Sequence, residues 1–213
     1  MEKFAIFDMD GTVLDSMDAW RSLNVLYAEK LGVPLTDEAR SEIYQLSGTQ
    51  FVRYFQSHFG LEMDIEQIIN HAYDAMRVTY TRGVPEKPGA KAYLKRLGER
   101  NVKRVIATAT PTDLAEIALK TSGLAPYVDL LTTTRMIGIE KYKPEFWLEV
   151  ASRAGGTAVE CTVYEDALYA IEGARKAGMK VIGVEDPTNL CDREAMRSLC
   201  EKVIASYDEL SLD

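Results

Sequence analysis

The sequence predicts an α/β fold in which a doubly wound parallel sheet carries a small inserted α-helical domain. Three observations predict it. Short apolar runs alternate with helical patterns over the second half of the chain. A further apolar run, residues 4–7, stands near the N-terminus and ends at Asp8 and the turn-prone Asp10-Gly11. The long segment between that run and the others has only the apolar spacing of helices.

The second half of the chain divides into elements that follow one another in a regular order. These are a strand at 102–107, a helix from Pro111, a strand at 128–132, a helix from Pro144, a strand at 161–164, a helix from Ala167 and a closing strand at 179–184. Such alternation is typical of parallel strands with helices on both faces. The first strand completes the same sheet.

The inserted segment is predicted to contain four helices. Asp64 and Gln67 resemble a capping box that opens the last of them. We therefore predict a core formed by residues 1–15 and 86–213, interrupted by a helical domain at residues 16–85. The breaks between its helices are at Gly32 to Pro34, at Ser47-Gly48 and at Gly60.

Charge and composition exclude several classes of protein. The net charge of −8 over 213 residues argues against nucleic acid as a partner, because nucleic-acid binders usually display a basic surface. No apolar run approaches the roughly 20 residues that a membrane span needs.

The three cysteines have no paired spacing and no export signal is seen, so we expect reduced thiols and a cytoplasmic location. The sequence does not indicate an oligomeric state.

Polar residues that could perform chemistry follow four of the predicted elements. Asp8 and Asp10 follow the first strand, residues 108–110 (Thr108, Ala109 and Thr110) follow the second, Lys141 lies in a later loop, and residues 165–166 (Glu165 and Asp166) follow another strand. Ligands of doubly wound sheets bind beyond the carboxyl ends of the strands. We therefore expect these residues to line one crevice.

The residue types in this set suit phosphoryl transfer. A carboxylate can attack phosphorus as a nucleophile, and a second one nearby can transfer protons. Asp8 and Asp10 are close enough to divide those two tasks. Thr108 and the backbone N–H groups at the start of the following helix can bind phosphate oxygens, and Lys141 adds positive charge. Carboxylates also bind Mg²⁺.

Four segments resemble the motifs of the haloacid dehalogenase-like hydrolase superfamily, which has a Rossmann-like core. Residues 7–16 resemble the first motif and residues 105–108, a strand ending in Thr, resemble the second. Residues 141–147 resemble the third, a Lys followed three residues later by Pro and an acid. Residues 163–167, continuing to 184, resemble the fourth. The resemblance covers nearly the whole chain.

The resemblance implies a role for each motif residue. It makes Asp8 the nucleophile and Asp10 the general acid and base, while Thr108 and Lys141 bind the phosphoryl group. It also implies a mobile cap, residues 16–85, that closes over the substrate.

The resemblance implies Mg²⁺ as the cofactor. Its ligands are Asp8, the backbone carbonyl of Asp10, Asp166, and Glu165 either directly or through water.

The third motif leaves one assignment open. Tyr142 stands where relatives commonly carry Pro, and Lys143 is an alternative phosphate ligand to Lys141. We favour Lys141, because counting from it matches the family pattern. That count puts Pro144, Glu145 and Trp147 at the Pro, acidic and aromatic positions of the motif.

Three alternatives to a phosphatase share part of this pattern. A β-phosphoglucomutase-like sugar phosphomutase shares the layout, but Trp20 stands where those mutases carry a His, and Thr12 is common in phosphatases. Asp10 argues against a dehalogenase, since such enzymes lack this second acid. A catalytically inactive binding or regulatory protein would keep the fold without the filled catalytic positions.

The expected substrate is a small phosphorylated metabolite, such as a sugar phosphate or a nucleotide monophosphate. Specificity is expected to reside in residues of the helical segment that face the crevice. The candidates are Asp15, Ser16, Trp20 and residues 47–53.

Overall fold

A computed structural model describes residues 3–30, 32, 35–45, 48–59 and 65–211. Within these residues a six-stranded sheet has the order β3-β2-β1-β4-β5-β6, and all its pairings are parallel. The strands are β1 (Phe4–Phe7), β2 (Lys103–Thr108), β3 (Leu130–Thr133), β4 (Cys161–Glu165), β5 (Lys180–Val184) and β6 (Lys202–Ile204). The chain runs from β1 to one edge, returns beside β1 as β4, and continues to the other edge. The predicted fold class is confirmed.

The described part of the chain contains the helices that the sequence predicts and three that it does not, at residues 90–99, 134–137 and 193–199. They are α1 (Met17–Lys30), α2 (Asp37–Gln45), α3 (Gly48–Phe59), α4 (Ile65–Arg82), α5 (Ala90–Glu99), α6 (Thr112–Thr121), α7 (Thr134–Ile137), α8 (Pro144–Ala154), α9 (Leu168–Lys176) and α10 (Arg193–Leu199). α8 begins where it was predicted, and α6 and α9 begin one residue later. Of the predicted breaks and caps, Val33, Pro34, Ser47, Gly60 and Asp64 lie outside the described residues. No helix in the described ranges is long and apolar enough to cross a membrane.

One prediction about the sheet is wrong. The strand at 179–184 does not close the series, because β6 pairs with β5 beyond it, with Ile182 opposite Lys202. β6 has three residues, and of these Ile204 alone is fully buried. An edge strand this short contains too little apolar alternation to be recognised in a polar stretch of sequence.

The two faces of the sheet are covered by different helices. Phe7 on β1 faces a core that contains Leu94 of α5 and residues of α6. The preceding residue, Ile6, points to the opposite face, where it joins Phe146 of α8 and residues of α9. Successive side chains of a strand point to opposite faces, so a fully apolar β1 buries both sides.

The chain enters and leaves the helical segment through two adjacent connections. Leu14 and Glu86 form an antiparallel bridge. The backbone N–H of Asp15 donates to the carbonyl of Pro85 at 2.9 Å. The two connections therefore lie side by side where the boundaries near residues 15 and 85 were predicted. The division of the chain into a core and a cap stays a prediction.

The helical segment has a small apolar cluster of its own, but part of α4 packs on the core. The buried members of that cluster are Ala28, Ile43, Phe55 and Ile68, one from each of α1 to α4. Met76 and Tyr80 of α4 belong instead to the cluster around Phe7. The Thr121 hydroxyl on α6 donates to the carbonyl of Tyr80 at 2.7 Å. The C-terminal half of α4 is thereby attached to α6.

Candidate active site

Asp8 lies at the point where the sheet connections diverge. Its backbone N–H donates to the carbonyl of Tyr164 on β4, 2.9 Å away, so β1 and β4 present their next residues side by side. The chain leaves β1 toward β2 and leaves β4 toward β5, on opposite sides. Such a divergence opens a crevice beyond the carboxyl ends of the strands. The Asp8 side chain lies in this crevice and is largely buried.

Three carboxylates meet at this point. Asp8, Glu165 and Asp166 each offer one oxygen, and these oxygens all lie within 4.8 Å of one another. Glu165 ends β4 and Asp166 follows it, so the register between β1 and β4 brings them to Asp8. The predicted acidic residues at the two strand ends are therefore neighbours.

Lys141 is the cation within this cluster. Its Nζ donates to Asp8 Oδ1 at 2.7 Å and also to Glu165 Oε2. Its backbone is held as well, because the indole N–H of Trp147 donates to the carbonyl of Lys141 at 2.7 Å. Lys141 is buried, whereas Lys143 precedes α8 with an exposed side chain. Of the two lysines, the structure brings Lys141 into contact with the carboxylates.

The charge balance of the cluster fits a divalent cation. Burial raises the pKa of Asp8 to about 7, and the charge of Lys141 opposes that rise. Burial also raises the pKa of Asp166, and the charges of Glu165 and Asp8 add to the effect. Three carboxylates around a single ammonium leave excess negative charge in a buried space. Mg²⁺ prefers carboxylate oxygens, so this set of side chains suits it.

The first turn after β1 brings the chain close to the acidic cluster. Gly11 has a φ of 83°, and a Cβ there would lie 2.5 Å from Asp166 Oδ2. Only glycine therefore fits at this position. The hydroxyl of the next residue, Thr12, donates to Asp166 Oδ1 at 3.0 Å.

Asp10 lies outside the carboxylate cluster and is held by three hydroxyl groups. Ser16 donates to Asp10 Oδ1 at 2.6 Å, and Tyr80 of α4 donates to the same oxygen. Thr110 donates to Asp10 Oδ2 at 2.7 Å. The carboxylate is half-buried and its orientation is set by three separate segments of the chain.

The segment after β2 contains the residues that are predicted to bind phosphate. Thr108 is buried, and its hydroxyl accepts the backbone N–H of Thr110 at 3.0 Å. Ala109 between them is exposed. Ile106 of β2 pairs with Phe7 of β1, so residues 108–110 follow β2 at the same edge of the sheet as Asp8. The Thr110 hydroxyl donates to Asp10, and its backbone N–H donates to Thr108, so both donors of Thr110 are engaged with neighbouring residues.

The residues that are predicted to determine substrate specificity make different contacts. The Asp15 carboxylate forms an ion pair with Lys87, with 3.2 Å between Oδ1 and Nζ. Ser16 contacts Asp10, and the indole N–H of Trp20 donates to the Tyr80 hydroxyl at 3.1 Å. Of residues 47–53, Ser47 and the side chains of 48–52 lie outside the described part of the structure, and Arg53 is exposed. Their roles in substrate binding stay predictions.

Sequence reasoning missed several residues around the site. Tyr80 reaches Asp10 from the end of a helix, and helical spacing predicts only that it is buried. Asn189 donates to the backbone carbonyl of Asp166 at 2.7 Å. Lys87 is buried and pairs with Asp186 at 2.5 Å. The prolines around Lys87 indicate the end of the inserted helical segment, but nothing in that stretch of sequence indicates a buried ion pair.

Comparison with known proteins shows the family of the chain. The family model described as haloacid dehalogenase-like hydrolase matches residues 3–178. The phosphorylated carbohydrates phosphatase of Thermotoga maritima is 24% identical over 185 residues, which cover 86% of each chain. The fructose-1-phosphate phosphatase YqaB of Escherichia coli K12 is 28% identical over 192 residues, covering 86% of this chain and 97% of the relative.

Solved structures share the fold at lower identity. The crystal structure of β-phosphoglucomutase from Clostridium difficile aligns with a TM-score of 0.73 and 19% identity, covering 100% of this chain and 94% of that one. At this identity the likeness concerns the fold alone. The predicted class of enzyme, a phosphoric monoester hydrolase, is confirmed by the family model and the curated relatives. The chain belongs to the haloacid dehalogenase-like hydrolase family.

Proposed function

We propose that this protein is a Mg²⁺-dependent phosphatase that hydrolyses a small phosphorylated metabolite through an aspartyl-phosphate on Asp8. The observation that carries the proposal is the separation of the two acids of the first motif. Asp8 lies among Lys141 and two further carboxylates, whereas Asp10 is held apart by hydroxyl groups. One carboxylate is thus available for attack on phosphorus and the other for proton transfer.

The reaction proceeds in two displacements. An oxygen of Asp8 attacks phosphorus, and the ester P–O bond breaks as the new P–O bond forms. Asp10 gives its proton to the departing alkoxide. Water then attacks the phosphorus of the aspartyl-phosphate and transfers a proton to Asp10. Inorganic phosphate leaves, and both carboxyl groups return to their starting states.

Positive charge and N–H donors stabilise the transferring group. The Lys141 ammonium fixes the orientation of the Asp8 carboxylate and can contact a phosphoryl oxygen. The Thr108 hydroxyl, whose oxygen accepts the N–H of Thr110, and the N–H groups at the start of α6 are proposed to donate to the other phosphoryl oxygens. Asp8, Glu165, Asp166 and the backbone carbonyl of Asp10 would hold Mg²⁺, which when bound neutralises charge on the phosphoryl oxygens.

Residues 16–85 are proposed to act as a cap over the crevice. The adjacent connections at Leu14 and Glu86 support this, because the helices that share their own apolar cluster can move about this junction while the C-terminal half of α4 stays packed on α6. We propose a sugar phosphate or a nucleotide monophosphate as the substrate class, since curated relatives include phosphatases of phosphorylated carbohydrates and of fructose 1-phosphate. A cytoplasmic location and the absence of a nucleic-acid partner remain part of the proposal.

The test is phosphate release from a panel of sugar phosphates, nucleotides and simple alkyl phosphates, with Mg²⁺ or with a chelator. Asp8→Asn is expected to abolish release by several orders of magnitude, because it removes the nucleophile and a metal ligand. Asp74→Asn makes the same chemical change at an exposed position of α4 and serves as the control. Retained activity in Asp8→Asn would refute the mechanism. Isomerised sugar phosphate without net release would indicate the phosphomutase instead.

A further inference from the structure

The hydroxyl of Tyr80 reaches the Asp10 carboxylate from the inserted helical segment. Tyr80 lies near the C-terminal end of α4, 70 residues after Asp10 in the chain. Its side chain is fully buried. A buried phenol in contact with the proposed general acid can influence that acid without touching the substrate.

The direction of the hydrogen bonds at Tyr80 is fixed by chemistry. The indole N–H of Trp20 lies 3.1 Å from the Tyr80 hydroxyl, and an indole nitrogen can only donate. The hydroxyl oxygen therefore accepts from Trp20, and its own proton points to Asp10. Burial raises the pKa of Tyr80 far above its ordinary range, and the charge of Asp10 raises it further. The phenol stays protonated at neutral pH.

Tyr80 is itself held in place by the core. The Thr121 hydroxyl of α6 donates to its backbone carbonyl at 2.7 Å, and its ring belongs to the same apolar cluster as Phe7. Trp20 holds the hydroxyl end of the side chain. The backbone of Tyr80 is thus held by α6 and its hydroxyl end by α1.

The bonds to Asp10 distinguish its two oxygens. Oδ1 accepts from both Tyr80 and Ser16, so both of its lone pairs are engaged. Oδ2 has a single hydroxyl partner among the described residues, Thr110, and a hydroxyl can rotate to accept as well as donate. The proton of a protonated Asp10 is therefore directed to Oδ2.

We propose that Tyr80 is a positioning residue that keeps Oδ1 of Asp10 occupied and so presents the transferable proton on Oδ2 to the leaving-group oxygen. Trp20 fixes Tyr80 in this role. The inference rests on the proposed function, because it concerns the acid step of that reaction. The Tyr80 proton stays on Tyr80, while the alkoxide takes its proton from Asp10, which regains one from the attacking water.

The test compares leaving groups in Tyr80→Phe, which removes only the hydroxyl. An alkyl phosphate needs a proton at its leaving oxygen, whereas p-nitrophenolate leaves as a stable anion. The ratio kcat/KM covers the steps through departure of the leaving group. We expect it to fall about 10-fold or more for the alkyl phosphate and less than about 3-fold for p-nitrophenyl phosphate. Trp20→Phe is expected to change the two values in the same direction by a smaller factor.

Tyr93→Phe is the matched control. It removes another buried phenol, whose hydroxyl lies 2.7 Å from that of Tyr164, away from Asp10. In this variant the ratio of the kcat/KM values for the two substrates is expected to be the same as in the wild type. Equal losses on both substrates in Tyr80→Phe, or no loss on either, would overturn the role of Tyr80.

The experiment separates this inference from the proposed function. A wild-type protein that hydrolyses neither substrate refutes the proposed function, and the role of Tyr80 with it. Wild-type activity that Asp8→Asn abolishes, together with an unchanged ratio in Tyr80→Phe, refutes the role of Tyr80 alone.

Discussion

The side-chain amide of Asn189 donates a hydrogen bond to the backbone carbonyl of Asp166, with 2.7 Å between Nδ2 and O. Its amide oxygen accepts the backbone N–H of Asp186 at 3.0 Å, so both ends of the amide are engaged. Asn189 is buried. The turn after β5 thereby holds the turn after β4, which carries Asp166 to the acidic cluster.

Asn189→Ala is expected to weaken Mg²⁺ binding about 10-fold, because a partner that orients a metal ligand is removed. The measurement is the Mg²⁺ concentration that gives half-maximal phosphate release. Asn70→Ala, at an exposed position of α4, is the control and should leave that concentration unchanged. An unchanged value in Asn189→Ala would mean that Asp166 is positioned without this amide.

Lys141→Met is expected to lower the free energy of unfolding by about 3 kcal/mol, since it leaves buried carboxylates without their cation. The measurement is urea unfolding of the metal-free protein at neutral pH. Lys143→Met makes the same change at an exposed lysine and should stay within about 0.5 kcal/mol of wild type. The same pair of variants tests which lysine serves catalysis: Lys141→Met alone should lose phosphatase activity. Equal effects of the two substitutions would argue against the buried cation.

Gly11→Ala is expected to destabilise the protein and weaken Mg²⁺ binding, because the added Cβ would lie 2.5 Å from Asp166 Oδ2. Gly178→Ala is the control: its φ of 82° is almost the same, but no atom lies within 4 Å of the added Cβ. The control should lose only the roughly 1–2 kcal/mol of backbone strain. Thermal unfolding and Mg²⁺ titration of both variants check the difference. Similar behaviour of the two would show that the turn adapts to a side chain.

The stability of the metal-free protein is expected to fall with rising pH because of Asp8. Burial raises the pKa of this carboxyl from about 3.8 to about 7 in the folded protein, so the folded state binds the proton more tightly than the unfolded state. The stability that this proton contributes is complete below about pH 3.8 and is lost as the pH rises through about 7. Mg²⁺ requires the ionised carboxylate, so its stabilising effect should grow over the same range.

Thermal unfolding with Mg²⁺ and with chelator, from about pH 5 to about pH 8, measures this dependence. The amide in Asp8→Asn cannot ionise, so the stability of the metal-free variant should fall less steeply with rising pH than that of the wild type. A wild-type curve parallel to that of Asp8→Asn would contradict the shifted pKa.

The position of the acidic cluster follows from the sequence because it depends on strand ends. Asp8 follows a fully apolar run and Glu165 ends a fully buried strand, and parallel strands bring their carboxyl ends to one edge. The rule that ligands bind beyond the carboxyl ends of the strands then puts these residues in one crevice. Periodicity and turn residues carry that much information without any knowledge of long-range contacts.

The contacts from outside the strand ends could not be derived in this way. Tyr80 and Asn189 reach the site through side chains on a helix and a short turn, and their direction depends on packing between distant segments. β6 was missed because three residues cannot display a period of two convincingly. Long-range side-chain hydrogen bonds leave no local pattern in the sequence.

The bridge between Leu14 and Glu86 bears on how such a protein can diversify. Because the two ends of the helical segment meet, the segment is a closed loop between two strands of the sheet. The entropic cost of closing such a loop rises by only about 0.6 kcal/mol for each doubling of its length. Segments of very different size and surface could therefore be exchanged at this junction while the strands beneath keep their register. Recognition of the substrate can then change by replacement of most of one module, provided that the contact of Tyr80 with Asp10 is kept.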